Sequence, residues 1–184
     1  MDRYAQLIAE LVASGVLEEE WRGAFERAPR SAFVPDDVWL PDDERPSGYR
    51  MINRMREPAA WWALVNADQS VVTQLDDGDE DGPGVPTSSG SMPSLVATML
   101  RELDVANGQN VLDVGTGTGW TSALLAARLG GEQVTTIEID GAVAAEAARS
   151  LEATRLTPKQ IVGDGLAGWK PGRPYDRVHS TAAV

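Results

Sequence analysis

A glycine-rich turn between an apolar strand and a helix constrains this chain more than any other feature. Residues 111–114 (Val-Leu-Asp-Val) predict a buried strand, and Gly115, Gly117 and Gly119 follow at alternate positions before a helix that begins at Trp120. Glycines let a backbone turn tightly and let a ligand approach it closely. The amides at the helix N-terminus then face that ligand. The turn is either a ligand cradle or only a tight connection, and its neighbours decide between the two.

The residues around the turn indicate what kind of ligand it would hold. Trp120 stands where a dinucleotide fingerprint has its third glycine, which disfavours NAD. The carboxylate of Asp113, at the end of the strand, suits a cationic ligand better than a pyrophosphate. Glu138, at the end of the next predicted strand, is placed to accept hydrogen bonds from two ribose hydroxyls. Together these features disfavour a dinucleotide as the ligand.

The rest of the second half alternates helical and strand patterns, which predicts a parallel sheet with helical crossovers. Its strands are expected near residues 110–114, 134–139, 160–162 and 176–181. Two amphipathic helices are predicted near the N-terminus, and residues 35–87 are expected to be irregular apart from a short strand at 71–73. The predicted organisation is a helical and irregular substrate-side lobe over residues 1–90, followed by a Rossmann-like domain over residues 91–184.

Composition and charge exclude several functions. The net charge of −12 argues against nucleic acid as the main partner. With no cysteine there is no thiolate nucleophile, and with His179 as the one histidine, which we interpret as structural, no metal site is predicted. No apolar run is long enough to span a membrane, and no secretory signal begins the chain, so a cytoplasmic protein is expected. The acidic run 76–82 predicts a solvated loop, because it lacks the rest of a calcium-binding loop.

Several segments resemble S-adenosylmethionine-dependent methyltransferases, and among them the protein-L-isoaspartate O-methyltransferases. Beside the glycine turn, Gly163-Asp164-Gly165 resembles the Gly-Asp-Gly segment of that family, and residues 175–183 resemble its fourth strand. Residues 89–97 (Ser-Gly-Ser-Met-Pro-Ser-Leu-Val-Ala) resemble its Thr-x-Ser-x-Pro segment, and residues 28–34 resemble the motif after its N-terminal helices. The matches occur in family order over most of the chain. The resemblance implies a doubly wound α/β fold of the Rossmann-like methyltransferase type, with an N-terminal helical lobe.

The resemblance also implies a set of site residues. Ser91 is expected at the methyl-transfer centre, where it would orient a substrate carboxylate, with Ser89 beside it. S-adenosylmethionine, which leaves as S-adenosylhomocysteine, is expected to contact Asp113, Gly115, Thr116, Gly117, Glu138, Ile139, Asp164 and Gly165. Within this set, Gly115 and Gly117 would lie under the methionine moiety, Glu138 on the ribose and Asp164 near the adenine. A carboxylate is already ionised at neutral pH, so the reaction needs no general base.

Two departures from the family pattern shape the predicted substrate. The segment 50–86 looks longer than the connector of repair enzymes, and it carries Arg50, Arg54 and Arg56 with Trp61-Trp62. This resembles actinobacterial relatives that methylate an aspartate in a peptide, which then closes to an aspartimide. We therefore predict a preference for such a peptide, with Trp61 and Arg54 as substrate contacts. The alternatives are isoaspartyl repair, a cofactor-binding but inactive module and, third, an oxidoreductase.

The second departure is that the sequence stops just after its predicted fourth strand, whereas family members continue. An unpaired strand edge is normally covered in proteins. We therefore expect the edge at residues 176–181 to be covered by a partner chain, a swapped element or a crystal neighbour, which makes a homo-oligomer an additional possibility.

Overall fold

The computed structural model describes residues 3–45, 47–79 and 81–182. Within these residues the chain forms six α-helices and two four-stranded sheets. The helices are α1 (Arg3–Ala13), α2 (Glu19–Arg27), α3 (Pro58–Val65), α4 (Pro93–Leu103), α5 (Trp120–Leu129) and α6 (Gly141–Thr154). The strands of the first sheet are β1 (Asp37–Pro41), β2 (Tyr49–Asn53), β3 (Val71–Leu75) and β4 (Pro86–Gly90). Those of the second are β5 (Val111–Val114), β6 (Val134–Glu138), β7 (Lys159–Val162) and β8 (Arg177–Ser180).

The second sheet is parallel, with the strand order β7-β6-β5-β8. The chain moves outward from β5 through β6 to β7 and then returns to place β8 on the other side of β5. Such a reversal of strand order opens a crevice at the carboxyl ends of the strands, where ligands bind in doubly wound folds. The predicted α/β fold is confirmed, and the glycine turn after β5 lies at this crevice.

The first sheet corrects the prediction for residues 35–87, which are not irregular. Their strands pair antiparallel in the order β2-β1-β3-β4. Three prolines of this segment lie at element ends: Pro41 ends β1, Pro86 begins β4 and Pro58 begins α3. Proline is tolerated at such positions because the missing N–H is not needed there. The short strand expected at residues 71–73 is confirmed as β3, which continues to Leu75.

The two adjacent tryptophans lie in helix α3 and not in a strand. Trp61 is fully buried among Val38, Ile52 and other apolar side chains of the first sheet, and its indole Nε1 donates to the Pro35 carbonyl at 2.9 Å. Trp62 remains 39% exposed. Trp61 is therefore a core residue of this sheet, and the predicted role as a substrate contact is wrong.

The N-terminal helices pack on the parallel sheet rather than forming a separate lobe. Residues of α1 and α2 share one apolar core with α4, α5 and β5. In this core the rings of Phe25 and Trp120 pack edge to face with centroids 5.5 Å apart, and Trp120 Nε1 donates to the Ala28 carbonyl at 2.9 Å. The first sheet has its own smaller core. The predicted domain boundary between residues 90 and 91 falls between β4 and α4, and it stays a prediction.

Two further predictions concern the edge of the parallel sheet and membrane-spanning segments. β8 lies at one edge of the parallel sheet, as expected. The prediction that another chain or a swapped element covers this edge stays a prediction. Among the helices of the described residues, none combines the length and the apolar character that crossing a bilayer requires.

Candidate functional site

A cavity of about 320 Å³ lies between the carboxyl ends of the parallel strands and the β3–β4 side of the first sheet. Six of the residues predicted for the site line it together: Ser89, Ser91, Gly115, Gly117, Glu138 and Ile139. The remaining lining residues are Gln74, Asp77, Pro86, Thr87, Ser88, Asp140, Val143, Thr181 and Ala182. The fold thus brings the serine segment and the glycine turn, which are separate in the sequence, to one opening.

The two glycines that line the cavity have different functions. Gly115 has φ +86°, and a Cβ there would lie 3.0 Å from the Ala182 side chain, so this glycine permits close packing against the end of β8. Gly117 has φ +53°, and a Cβ built on it meets nothing within 4 Å. Gly117 therefore borders open space, as expected where a ligand approaches the backbone.

The carboxylate of Glu138 organises the floor of the cavity. One oxygen accepts a hydrogen bond from the amide of Gly117 at 2.8 Å, and the other accepts from the amides of Ile139 at 2.9 Å and Asp140 at 3.2 Å. These contacts join the glycine turn to the end of β6. An ionised carboxylate has about four lone-pair positions, and the three amides leave about one of them for a ligand's hydroxyl.

Ser89 and Ser91 reach the cavity from the opposite side. Ser89 lies in β4 and pairs with Val72, whereas Ser91 lies between β4 and α4. The residue at the cap position of α4 is Met92, and no side chain caps this helix. Among the described residues no hydrogen bond occupies the Ser91 hydroxyl. The hydroxyl is therefore available to a molecule in the cavity.

Asp113 and Thr116 are buried beneath the glycine turn and do not line the cavity. Asp113 is fully buried; one carboxylate oxygen lies 2.8 Å from Nδ1 of the buried His179, and the other accepts from the Ser122 hydroxyl. The hydroxyls of Thr116 and Thr136 are 2.6 Å apart. Side chains alternate along a strand, and Asp113 falls on the face covered by α5. The predicted contact between its carboxylate and the cofactor is wrong, and so is a cofactor contact through the Thr116 hydroxyl.

The structure also separates Asp164 and Gly165 from the cavity. Asp164 is exposed, beyond the carboxyl end of β7, and accepts from the Leu166 amide at 2.9 Å. Gly165 packs against Val114, whose Cγ1 would lie 2.4 Å from an added Cβ, and it lines a second cavity with Trp169. Gly165 therefore has no room for a side chain beside Val114, and its predicted contact with the cofactor stays a prediction. The adenine contact of Asp164 stays a prediction.

Arg54 lies away from the cavity, and its predicted role as a substrate contact stays a prediction. Its guanidinium stacks 4.7 Å from the ring centre of Trp61 and 5.2 Å from that of Trp62, and it pairs with Asp36 at 3.6 Å. Arg54 follows β2, which is the edge strand opposite β4 in the first sheet. The charge of Arg54 therefore contacts residues next to the first sheet.

A contact that the sequence did not reveal joins the two sheets at the cavity. Nε2 of Gln74 donates to Asp140 at 3.1 Å, and Gln74 Oε1 accepts from the Thr87 hydroxyl at 3.0 Å. Asp140 also accepts from the amides of Ala142 and Val143 at the start of α6. The Gln74 hydrogen bond and then these helix amides lower the pKa of Asp140 below its ordinary value. The pattern of a capping residue after β6 could have identified Asp140, but nothing in the sequence points to Gln74.

Comparison with known proteins relates this geometry to one family. The sequence model described as "Protein-L-isoaspartate(D-aspartate) O-methyltransferase (PCMT)" matches residues 82–184. The chain is 32% identical over 180 residues to protein-L-isoaspartate O-methyltransferase 1 of Rhodopseudomonas palustris, covering 96% of this chain and 58% of that protein. It is 30% identical over 185 residues to the protein-L-isoaspartate O-methyltransferase of Pyrococcus horikoshii, covering 100% of this chain and 68% of the relative. The chain thus spans about three fifths to two thirds of the length of these relatives.

Solved structures show the same fold. A protein-L-isoaspartate O-methyltransferase superposes with a TM-score of 0.72 at 24% identity, over 98% of this chain and 48% of that one. A Plasmodium falciparum structure described under the same enzyme name, in complex with S-adenosyl-L-homocysteine, superposes with a TM-score of 0.68 at 13% identity. That superposition covers 97% of this chain and 73% of the other.

Proposed function

This chain belongs to the protein-L-isoaspartate(D-aspartate) O-methyltransferase family, and on that premise we propose that it binds S-adenosylmethionine and methylates the carboxylate of an isoaspartyl residue. The observation that carries the proposal is the single cavity that joins Ser89 and Ser91 to Gly117 and Glu138. A family resemblance alone would leave open whether the two halves of such a site meet.

The residues of the cavity fit the cofactor. Gly117 leaves open space where a side chain would otherwise stand, and Glu138 offers a carboxylate to the ribose hydroxyls. The exposed side chain of Ile139 provides an apolar surface next to that carboxylate. When bound, S-adenosylmethionine supplies a methyl group on a sulfonium sulfur, and its transfer to a carboxylate oxygen leaves S-adenosylhomocysteine.

The protein's contribution to this reaction is to position the substrate. The substrate carboxylate is ionised at neutral pH and needs no base. The hydroxyls of Ser91 and Ser89 would donate to one carboxylate oxygen and leave the other free to react. Holding two reactants in a fixed geometry is a large source of rate enhancement. No residue of the chain has to give or take a proton during transfer.

For the finer choice of substrate we favour isoaspartyl repair over methylation of a normal aspartate in a peptide. The aspartate hypothesis depended on the segment 50–86 as a docking surface. Trp61 is buried, Arg54 pairs with Asp36, and Arg50 pairs with Glu57 at 2.9 Å. These side chains are occupied within the first sheet and its helix, so they do not support a peptide-docking surface.

A competition assay tests both levels of the proposal. The protein at its complete natural length is incubated with labelled S-adenosylmethionine, an isoaspartyl hexapeptide and the same hexapeptide with a normal aspartate. Base-labile label on the isoaspartyl peptide is the expected result. Faster labelling of the normal aspartate would assign the chain to the peptide-modifying branch, and binding of S-adenosylhomocysteine without labelling of either peptide would assign it as a binding module.

A matched pair of serine variants tests the site itself. Ser91→Ala is expected to lower kcat by at least tenfold while the Kd for S-adenosylhomocysteine stays within twofold. Ser94→Ala, three residues further on and at the start of α4, serves as the control and is expected to leave kcat unchanged. Equal rates for the parent and Ser91→Ala would remove Ser91 from the reaction.

A further inference from the structure

Arg30 is a fully buried cation whose partners are backbone carbonyl groups. Its Nη1 donates to the carbonyls of Val65 at 3.2 Å and Ala67 at 3.3 Å. Its Nη2 lies 2.9 Å from the carbonyls of Gln69, Gly90 and Ser91. None of the ion pairs among the described residues includes Arg30.

Burying this charge costs free energy, so a gain in stability does not account for an arginine at this position. Desolvation lowers the pKa of Arg30 to about 10, and the group is still protonated at neutral pH. A buried cation that forms no ion pair needs hydrogen bonds in place of water. The five carbonyls supply partners for Nη1 and Nη2, whereas the buried Nε has no hydrogen-bond partner among the described residues.

The carbonyls come from two separate segments, and one of them carries the site. Val65, Ala67 and Gln69 belong to the end of α3 and the connection to β3, whereas Gly90 and Ser91 precede α4. The Gly90 and Ser91 carbonyls belong to the two peptide groups on either side of the Ser91 α-carbon. Holding both peptide groups fixes φ and ψ of Ser91, and with them the direction of its Cα–Cβ bond into the cavity.

We propose that Arg30 is a positioning residue for Ser91: it fixes the peptide groups on both sides of Ser91 so that the hydroxyl faces the substrate carboxylate. The effect of Arg30 on kcat that this inference predicts rests on the proposed function. The guanidinium also lies 5.6 Å from the ring centre of Trp120, the first residue of the helix after the glycine turn. Arg30 thus stands between the serine segment and the start of that helix.

A double-mutant cycle separates positioning from general support of the fold. Arg30→Lys keeps the charge but cannot span five carbonyls, and it is expected to lower kcat for the isoaspartyl peptide by at least tenfold with the Kd for S-adenosylhomocysteine within twofold. If Arg30 acts through Ser91, then Ser91→Ala lowers kcat in the parent but by less than twofold in the Arg30→Lys background. Additive losses, or an unchanged kcat in Arg30→Lys, would overturn the proposal.

Arg177→Lys is the matched control, because Arg177 also donates to backbone carbonyls, those of Leu103 and Asp104. These carbonyls lie at the opposite end of α4 from Ser91, a distance of roughly 15 Å along an 11-residue helix. We expect kcat of Arg177→Lys to fall less than threefold and Ser91→Ala to keep its full effect in this background. A loss of the Ser91 effect here as well would show that the coupling is not particular to Arg30.

A measurement without substrate keeps this inference distinct from the proposed function. Amide hydrogen exchange across residues 89–92 is expected to be at least tenfold faster in Arg30→Lys than in the parent, and unchanged in Arg177→Lys. Unchanged exchange would overturn the proposal even if no methylation occurs, whereas absent methylation with the expected exchange would overturn only the proposed function. If circular dichroism shows Arg30→Lys to be unfolded, Arg30→Gln, which retains a planar donor, is measured in its place by the same criteria.

Discussion

At the scale of single residues, the site depends on polar groups whose directions are set by the backbone around them. The carboxylate of Glu138 accepts from three backbone amides, and one of these belongs to Gly117. Its position is therefore fixed before any ligand arrives, which reduces the entropic cost of binding. Asp113, two residues before the turn, is equally well bonded but faces the protein interior. Two carboxylates at strand ends thus have different functions, because they face different sides of the sheet.

Replacing Glu138 is expected to weaken binding of S-adenosylhomocysteine. Glu138→Ala removes hydrogen bonds to a charged acceptor, which are worth roughly 1.5–3 kcal/mol, so the Kd measured by calorimetry should rise about 10- to 100-fold. Glu152→Ala, an exposed glutamate on α6, is the control. An unchanged Kd in Glu138→Ala would show that this carboxylate does not contact the ligand.

Gly117 allows a test in which the fold is left largely intact. Gly117→Ala adds a methyl group that meets no protein atom, so the variant should fold, with a backbone penalty of about 1–2 kcal/mol for the left-handed conformation. We expect the Kd for S-adenosylhomocysteine to rise at least tenfold because the methyl group occupies the ligand's space.

The control for this substitution is Gly108→Ala. Gly108 also has a positive φ and open space around it, but it lies outside the cavity lining. It should lose comparable stability with no change in Kd. Equal Kd values for the two variants would mean that the ligand does not approach Gly117.

At the scale of elements, the sequence predicted the parallel half well and the antiparallel half poorly. Strands β5 and β6 and the helices after them have local signals, namely apolar runs and the glycine turn, so their order and type could be predicted. The antiparallel sheet depends on pairing between distant strands, such as β1 with β3, which no local pattern reveals. This explains why Gln74 was missed. For Asp113 the alternation of side chains was clear, but the sequence does not tell which face is the interior.

Helix α6 provides a prediction about stability and pH. Asp140 caps this helix, and removing a cap costs about 1 kcal/mol, so Asp140→Ala should lower the free energy of unfolding by about that amount at pH 7. The pKa of Asp140 is lowered in the folded protein. Its contribution is therefore present above the ordinary value of 3.8 and is lost as the pH falls through the folded pKa.

Urea denaturation at several pH values checks this expectation. The difference between the parent and Asp140→Ala should be largest above about pH 5 and should shrink below about pH 3. Asp164→Ala is the control, because Asp164 caps only a three-residue turn. A difference that does not change with pH would show that the capping interaction does not depend on the ionised carboxylate.

At the scale of the whole molecule, several kinds of contact connect the parts of the protein that surround the cavity. The apolar core joins α1 and α2 to the parallel sheet, and the Gln74–Asp140 hydrogen bond joins the antiparallel sheet to α6. Arg30 holds the segment that leads from the antiparallel sheet into α4. The apolar core that α1 and α2 share with the parallel sheet is large. Because neither part can lose this core without exposing the other, we expect the N-terminal helices and the parallel sheet to unfold as one unit.

Phe25 tests this cooperativity because it is fully buried in the shared core. Phe25→Ala should lower the free energy of unfolding by about 3–5 kcal/mol, the usual cost of a large cavity in a core. Urea denaturation should show one transition with the same midpoint by circular dichroism, which reports helices, and by tryptophan fluorescence, to which Trp120 contributes next to Phe25. Leu95→Ala, at a position 47% exposed on α4, should change the midpoint little. Separate midpoints for the two probes in Phe25→Ala would mean that unfolding is not two-state, and that the shared core does not make the molecule one cooperative unit.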